Sequence, residues 1–363
     1  MLSILPVWAE TDDVLQGKNE RKNGSMIKRL ILFIVFPLLL FACPAAGCGG
    51  DLQSVPLPEH IRLDGNMIVE NVDKPLYEYE AVLKDFSTYR PEDCHNGRII
   101  STDHYQSEEG AWDDIEYYFY EDGYTLTVSG ESLTMGTGDY ERYSQLLTYL
   151  DGAEIPAESL QTKPFPLQDA QERSKQILEK LHVGGLVPEQ AVPLSGETIR
   201  DLTKEMKDRY AGMKLYCFDS FPDGIGAWYL SFRQEIGGIP VGISPQVRIV
   251  LTKSDIAYLD MGGLIEKISD GVPQEAKALA EDAVRRFADD HASVHHEYGE
   301  TLTVNRIAPV YYMEPGEGEP SVPTVRLFPA WHVESRRTMH FRTQVKQESL
   351  SEVYRIPDGK KYR

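Results

Sequence analysis

Residues 115–128 commit part of this chain to antiparallel sheet. Ile115-Glu116-Tyr117-Tyr118-Phe119-Tyr120 runs into Glu121-Asp122-Gly123 and then Tyr124-Thr125-Leu126-Thr127-Val128. Aromatic and β-branched side chains suit a pleated, half-buried surface, and Asp-Gly between two such runs is the backbone chemistry of a tight hairpin. Successive side chains point to opposite faces, so one face of this hairpin looks inward and the other outward. Tyr118, Tyr120 and Tyr124 are the candidates for an exposed interaction surface, against the plainer reading of a half-buried sheet.

The rest of the chain alternates helix and strand signals. Residues 140–150 carry Tyr143, Leu146, Leu147 and Leu150 at helical spacing, and Asp151-Gly152 stops them. Pro156, Pro164 and Pro166 mark a linker over residues 151–166. Residues 169–181 form a helix with Ala170, Ile177, Leu178 and Leu181 inward, ended by Gly184-Gly185. Strands follow at 213–218, 227–234, 246–251 and 256–261, with Gly237-Gly238-Ile239-Pro240-Val241 as a turn. Pro273 opens a helix to about residue 290, with Ala276, Leu279, Ala280, Ala283, Val284, Phe287 and Ala288 as its buried stripe. Strands then run at 302–310, 323–328, 331–334 and 351–355, and Asp358-Gly359 is a terminal turn.

Far upstream, Lys28-Arg29 precedes the apolar run 30–42, which small residues and two cysteines follow. That order is the pattern of an export signal. The run is too short, and too soon broken by Pro37 and Pro44, for a spanning helix of about 20 apolar residues. Met26 reads as the true start, with a long charged leader as the alternative. Ala45-Ala46-Gly47-Cys48 is the favoured lipobox, followed by the flexible Gly49-Gly50; Leu40-Phe41-Ala42-Cys43 is the alternative. A thioether needs the thiol, and small neighbours fit a narrow peptidase groove. Simple cleavage near Ala46, giving a free secreted product, is a third reading. The expected layout is a leader and signal peptide over 1–48, a tether over 49–60, a tyrosine-rich α+β domain over 61–150, the linker, and a tandem α+β domain over 167–363.

The net charge is −20 at pH 7. So acidic a surface argues against nucleic acid and against lying flat on anionic lipid; it suits a cationic partner, or simply keeps the protein soluble. At 41% hydrophobic and 10% aromatic, the chain can build sizeable cores, and 363 residues suggest about two domains. Beyond the lipobox only Cys94 and Cys217 remain. In an oxidising compartment they are open to pairing, and equally to standing as two buried thiols.

A weak internal repeat underlies this order: a helix, a strand, a loop and a Trp-bearing strand occur twice. The first copy carries residues 169–181, 215–218 and Trp228-Tyr229-Leu230-Ser231-Phe232. The second carries 274–290, 304–310 and Trp331-His332-Val333-Glu334. Trp228 and Trp331 are the expected core anchors. A helix with one apolar face and strands with alternating faces must stack, so the expected fold is α+β, antiparallel sheets each packed by one or two helices in tandem modules.

Phe328-Pro329-Ala330-Trp331, the late strand ending in Asp358-Gly359, and Gly238-Ile239-Pro240-Val241 among its flanking strands are similar to the α+β modules of the YycH/YycI regulatory proteins and of PepSY-like domains. The resemblance covers about residues 165–360. With the tyrosine-rich region behind a lipobox, the chain also resembles uncharacterised lipoprotein families of Gram-positive bacteria. The resemblance implies an extracytoplasmic, non-catalytic module that binds another protein, such as a sensor kinase or protease, and tunes it. The YycH/YycI pattern carries a membrane-spanning anchor where this chain has a lipobox.

Catalytic constellations are sparse. His291 and His295 would share a helix face, with His296 and Glu297 beside them, but no His-Glu-x-x-His order places a base, and a solvated helix end explains them. Ser129-Gly130 and Ser144 lack a recognisable base. Asp113, Asp114 and Glu116 are better read as solvating a strand edge than as a glycosidase pair. Gly136-Thr137-Gly138 lacks the rest of a phosphate loop, and Gly237-Gly238 supplies positive φ for a turn. No cofactor or metal is indicated. The reading is a lipid-anchored extracytoplasmic protein with a binding or regulatory role and an envelope protein or glycan as partner. The rivals are an envelope hydrolase and a solute-binding lipoprotein.

Overall fold

The computed structural model describes residue 52 and most of residues 55–362. Residues 1–51, 53–54, 71–74, 107–113, 138–142, 145, 148–149, 151–159, 210–223, 275–278, 293–298, 316–323, 342–344, 357–360 and 363 lie outside the description.

Strands β1 (Ile61–Val69) and β2 (Tyr77–Leu83) come first, then a single-turn helix α1 (Pro91–Cys94). A meander follows: β3 (Ile99–Tyr105), β4 (Ile115–Tyr120), β5 (Tyr124–Val128) and β6 (Ser132–Thr137). Helix α2 (Leu167–Lys180), strand β7 (Leu186–Ser195) and helix α3 (Gly196–Arg209) lead into β8 (Gly224–Ile236), β9 (Ile239–Pro240), β10 (Val247–Thr252) and β11 (Ile256–Gly262). After β12 (Ile265–Ile268) and β13 (Val272–Pro273) come helix α4 (Ala280–Ala292) and β14 (Thr301–Pro315), β15 (Thr324–His340), β16 (Val345–Arg355) and β17 (Lys361–Tyr362).

Among the described residues strand makes up 54% and helix 21%. The expected balanced α+β class is therefore corrected to a mostly-sheet fold. Three of the unexpected strands show why the sequence pattern hides them. β3 shows no buried face, its Ile99, Ile100 and Tyr105 included. β7 contains Pro188 and Pro193, which argue against a central strand but are tolerated at a sheet edge. β13 takes Pro273, where a helix start was expected, and α4 begins only at Ala280.

Two sheets organise the strands. The nine-stranded sheet runs β3-β4-β5-β6-β11-β10-β8-β7, with β9 on β8. The eight-stranded sheet runs β1-β14-β15-β16-β17, with β2 also on β15, and β12 and β13 on β2. The two sheets interleave the segments that the sequence separates at 151–166. β6 pairs with β11 and so joins the tyrosine-rich meander to the first repeat, while β1 and β2 join the second.

Both faces of the nine-stranded sheet are covered at its β7–β11 end. Ile249 and Leu251 enter one core with Trp228, Leu230 and Leu178 of α2; Val250 enters another with Tyr229, Leu147, Ile199 and Leu202. This is why β10 reads as a nearly continuous apolar run. In the eight-stranded sheet, α4 lays Ala283, Val284, Phe287 and Ala288 on Val304, Ile307, Trp331 and Val333. Trp228 and Trp331 are both buried, and the Trp228 indole donates to Phe165 O at 2.9 Å. The Gly237-Gly238 turn has positive φ at both residues (61° and 81°), which closes β8 onto β9.

The two strands expected at 323–328 and 331–334 around Pro329 are, from Thr324 on, the single strand β15. On one edge β15 pairs with β2 through Thr324–Leu327 and then with β16 from Ala330 onward, so Pro329 falls where the neighbour changes. Its carbonyl accepts from Ile356 N at 3.0 Å. A strand residue points its N–H and C=O to the same side, so the missing donor faces this fork and not β14. Side chains staple the fork. Glu78 of β2 accepts from Arg355 at 3.1 Å and lies 3.7 Å from Arg326. Both guanidinium groups lie over the buried Phe328 ring, at 3.8 and 4.8 Å from its centroid.

Candidate functional site: the exposed edge of the nine-stranded sheet

The hairpin forms as the sequence requires, with Gly123 at φ 85° in its turn. Residue parity decides which tyrosines face the core. Tyr118 pairs with Leu126, so Tyr118, Tyr120, Tyr124, Leu126 and Val128 share the face that packs on α2. Tyr120 is 2% exposed. Its hydroxyl donates to Pro91 O, and that of Tyr124 donates to Ile256 O at 2.8 Å. The Tyr118 hydroxyl donates to Glu116. The expected interaction surface of Tyr118, Tyr120 and Tyr124 is thus corrected: these side chains serve the core side of the sheet. Burial pushes the phenols of Tyr120 and Tyr124 up to about 12 and raises that of Tyr118 further. The outward aromatic on β4 is Phe119, 38% exposed, with Tyr117 beside it at half burial.

His95, just past α1, plugs the inner side of the turn. Its ring stacks on Tyr124 at 4.3 Å, meets Tyr120 edge-on at 4.7 Å, and bonds Asp122 at 2.7 Å. Slight burial opposes ionisation of Asp122, but the bond to His95 and the Tyr124 backbone N–H hold its carboxyl below its ordinary range. Cys94 is a half-buried free thiol. Burial first, then Asp93, pushes it up to about 12, so it is a poor nucleophile at neutral pH. Cys217, the other cysteine beyond the lipobox, lies outside the described residues, as do Cys43 and Cys48.

β3 has β4 as its strand partner among the described residues, and all seven of its side chains are exposed. Ile100 is 59% and Tyr105 57% exposed. Its ladder is regular from Ser101 to Tyr105, opposite Phe119 to Ile115. Other strand edges are blunted, as exposed edges usually are. β7 carries two prolines and two register shifts, β1 shifts register between Leu63 and Ile68, and β17 is two residues long. β16 bears Lys346, Glu348 and Glu352. β3 has no proline and a single carboxylate, Asp103.

Other polar clusters close on themselves. Arg306 bridges Glu70 at 2.7 Å and Glu334 at 3.0 Å, and His332 bonds Ser351 at 2.5 Å beside Glu334. His291 bonds Glu352 at 3.0 Å, and the Tyr354 hydroxyl donates to the same carboxylate at 2.7 Å. His295, expected on the same helix face as His291, and His296 lie outside the described residues, and among those described no group of three ligands could hold a metal ion. Ser129 bonds within its own turn to Ser132. Asp113 is outside the description, and Glu116 is taken by Tyr118. No described helix is long and apolar enough to cross a membrane. The open β3 edge is not legible in the sequence, because its seven residues carry no apolar alternation.

No protein-family model matches the chain, and no curated protein does. Among solved structures it is similar to an uncharacterised protein from Eubacterium rectale ATCC 33656. The identity is 11%, the match covers 85% of this chain and 92% of that one, and the TM-score is 0.57. This likeness is one of fold.

Proposed function

We propose that this protein is exported, held at the outer face of the cell membrane by an acylated cysteine, and works there by binding another molecule rather than by catalysis. The order Lys28-Arg29, apolar residues 30–42 and Ala45-Ala46-Gly47-Cys48 carries the reading. The described structure supports the binding role. The polar clusters around His291, Arg306 and His332 close on their own partners, while β3 keeps all its side chains exposed on a sheet edge. Binding residues on a rigid scaffold commonly sit at such borders. The similarity to YycH/YycI-like and PepSY-like modules fits a regulatory partner.

Mass spectrometry of the native protein's N-terminal peptide tests the anchor. The expected result is a chain beginning at diacylated Cys48, with Cys48→Ala releasing it from the membrane fraction. An unprocessed cytosolic chain overturns the proposal. Crosslinking on intact cells tests the binding role, with a recurrent protein or glycan adduct expected.

A further inference from the structure

We infer that the β3 edge receives an extended, cationic polypeptide segment of a partner as an added strand. The inference rests on the binding role proposed above and names the surface and the kind of partner.

The geometry of β3 supplies the template. From Ser101 to Tyr105 its backbone is regular, paired on one side and without a strand partner on the other among the described residues. The His104 N–H in this row already donates to Asp103 Oδ1 at 2.9 Å. An added strand would take over that donor, satisfy the remaining open backbone groups and leave the carboxylate to an incoming cation, and the pockets beside alternate side chains would set specificity. The two faces of β3 differ. Ser101, Asp103 and Tyr105 stand opposite Phe119, Tyr117 and Ile115, which puts a carboxylate among aromatic rings. Thr102 and His104 stand opposite Tyr118 and Glu116 on the other side. A lysine or arginine on the incoming strand would meet Asp103 and the faces of Tyr105 and Phe119, a setting that favours cations by charge and by ring quadrupole.

Charge selects the occupant. Among the described residues from 99 to 122 the carboxylates are Asp103, Asp114, Glu116, Glu121 and Asp122, with no lysine or arginine, and Arg98 just before them pairs with Glu121. A second copy of this chain docking edge to edge would set two such segments against each other, so like-charge repulsion opposes self-pairing. Nucleic acid is opposed for the same reason. A basic strand gains from the same field, which also speeds its encounter. The recognised class is thus an extended segment alternating basic with apolar or small residues.

The test uses the full chain extracted from membranes and a dye-labelled short peptide alternating lysine and valine. Anisotropy titration should show saturable binding that weakens as salt rises, at least roughly ten-fold tighter than for the glutamate–valine counterpart. Amide exchange at residues 101–105 should slow when the lysine peptide is added. Thr102→Pro, which removes a donor from the strand, and Asp103→Lys should each weaken binding about ten-fold with the melting temperature unchanged. If Thr102→Pro lowers the melting temperature, Ile100→Lys at the same edge replaces it. Equal affinity for the glutamate peptide, unslowed exchange in β3, or undiminished binding by the variants overturns the inference. Crosslinking on cells separates the two levels. A partner captured equally by wild type and Asp103→Lys refutes the β3 site and leaves the binding role standing, whereas an unexported chain refutes that role even if the peptide binds.

Discussion

The two ends of the nine-stranded sheet are finished in opposite ways. At the β7–β11 end both faces are covered, Ile249 and Val250 point into different cores, and the outer strand is blunted by Pro188 and Pro193. At the other end β3 is exposed along its whole length and holds its place through the ladder with β4. Burial fixes one end, and hydrogen bonding with local side-chain pairing fixes the other. Substitutions should therefore separate stability from recognition along a single sheet, and the same kinds of change should weigh very differently in covered and bare regions.

The largest contrast is between buried and exposed aromatics. Phe287→Ala, which empties the centre of the α4 core, should cost about 3–5 kcal/mol in urea unfolding. Phe119→Ala on the outer face of β4 should cost well under that, and an equal loss would show that the hairpin is covered. Next is the fork. Glu78→Ala removes the carboxylate shared by Arg326 and Arg355 and should cost about 1–3 kcal/mol, with melting followed by circular dichroism. A smaller, pH-dependent effect belongs to His332. Burial lowers its pKa, with Arg306 and Arg233 acting in the same direction and Glu334 and Glu70 opposing. A histidine lowered on folding is neutral in the native state while the unfolded chain takes up a proton. Its contribution is full above the unfolded value of about 6.5 and falls as pH drops toward the folded value, by at most about 1.4 kcal/mol per pH unit. His332→Gln should flatten that part of the curve. The smallest effect is expected at the bare edge, where Ile100→Lys should move stability by no more than about 0.5 kcal/mol. A larger loss would mean that β3 carries packing.

Local pattern made much of this fold legible. Helices α2 and α4, the Asp-Gly hairpin, the Gly-Gly turn and β8, β10, β11 and β14 each announced themselves by periodicity or turn chemistry. Long-range pairing did not. Nothing within residues 132–137 says that β6 will pair with β11, and nothing in residues 61–69 specifies β14 as neighbour. β3 and β7 were missed for opposite reasons: β3 has no buried face to create an alternation, and β7 places prolines where an edge strand tolerates them. Helix α3 is not among the expected helices, although Ile199 and Leu202 are its buried face. At the site, the alternation of the tyrosines was legible but its phase was not, because phase depends on which side receives α2. Pro329 misled by dividing a strand whose neighbour, but not its course, changes there.

The pairing of β1 with β14 sets the order in which the polypeptide can be completed. Ile61 finds its neighbour in Leu302, and β2 finds Thr324–Leu327. Any process that delivers the chain from its N-terminus must therefore leave its earliest strands waiting until nearly all the rest has emerged, and such distant partners make assembly slow. A product cut short before β14 would strand β1 and β2 without their sheet, leaving it open to aggregation or degradation.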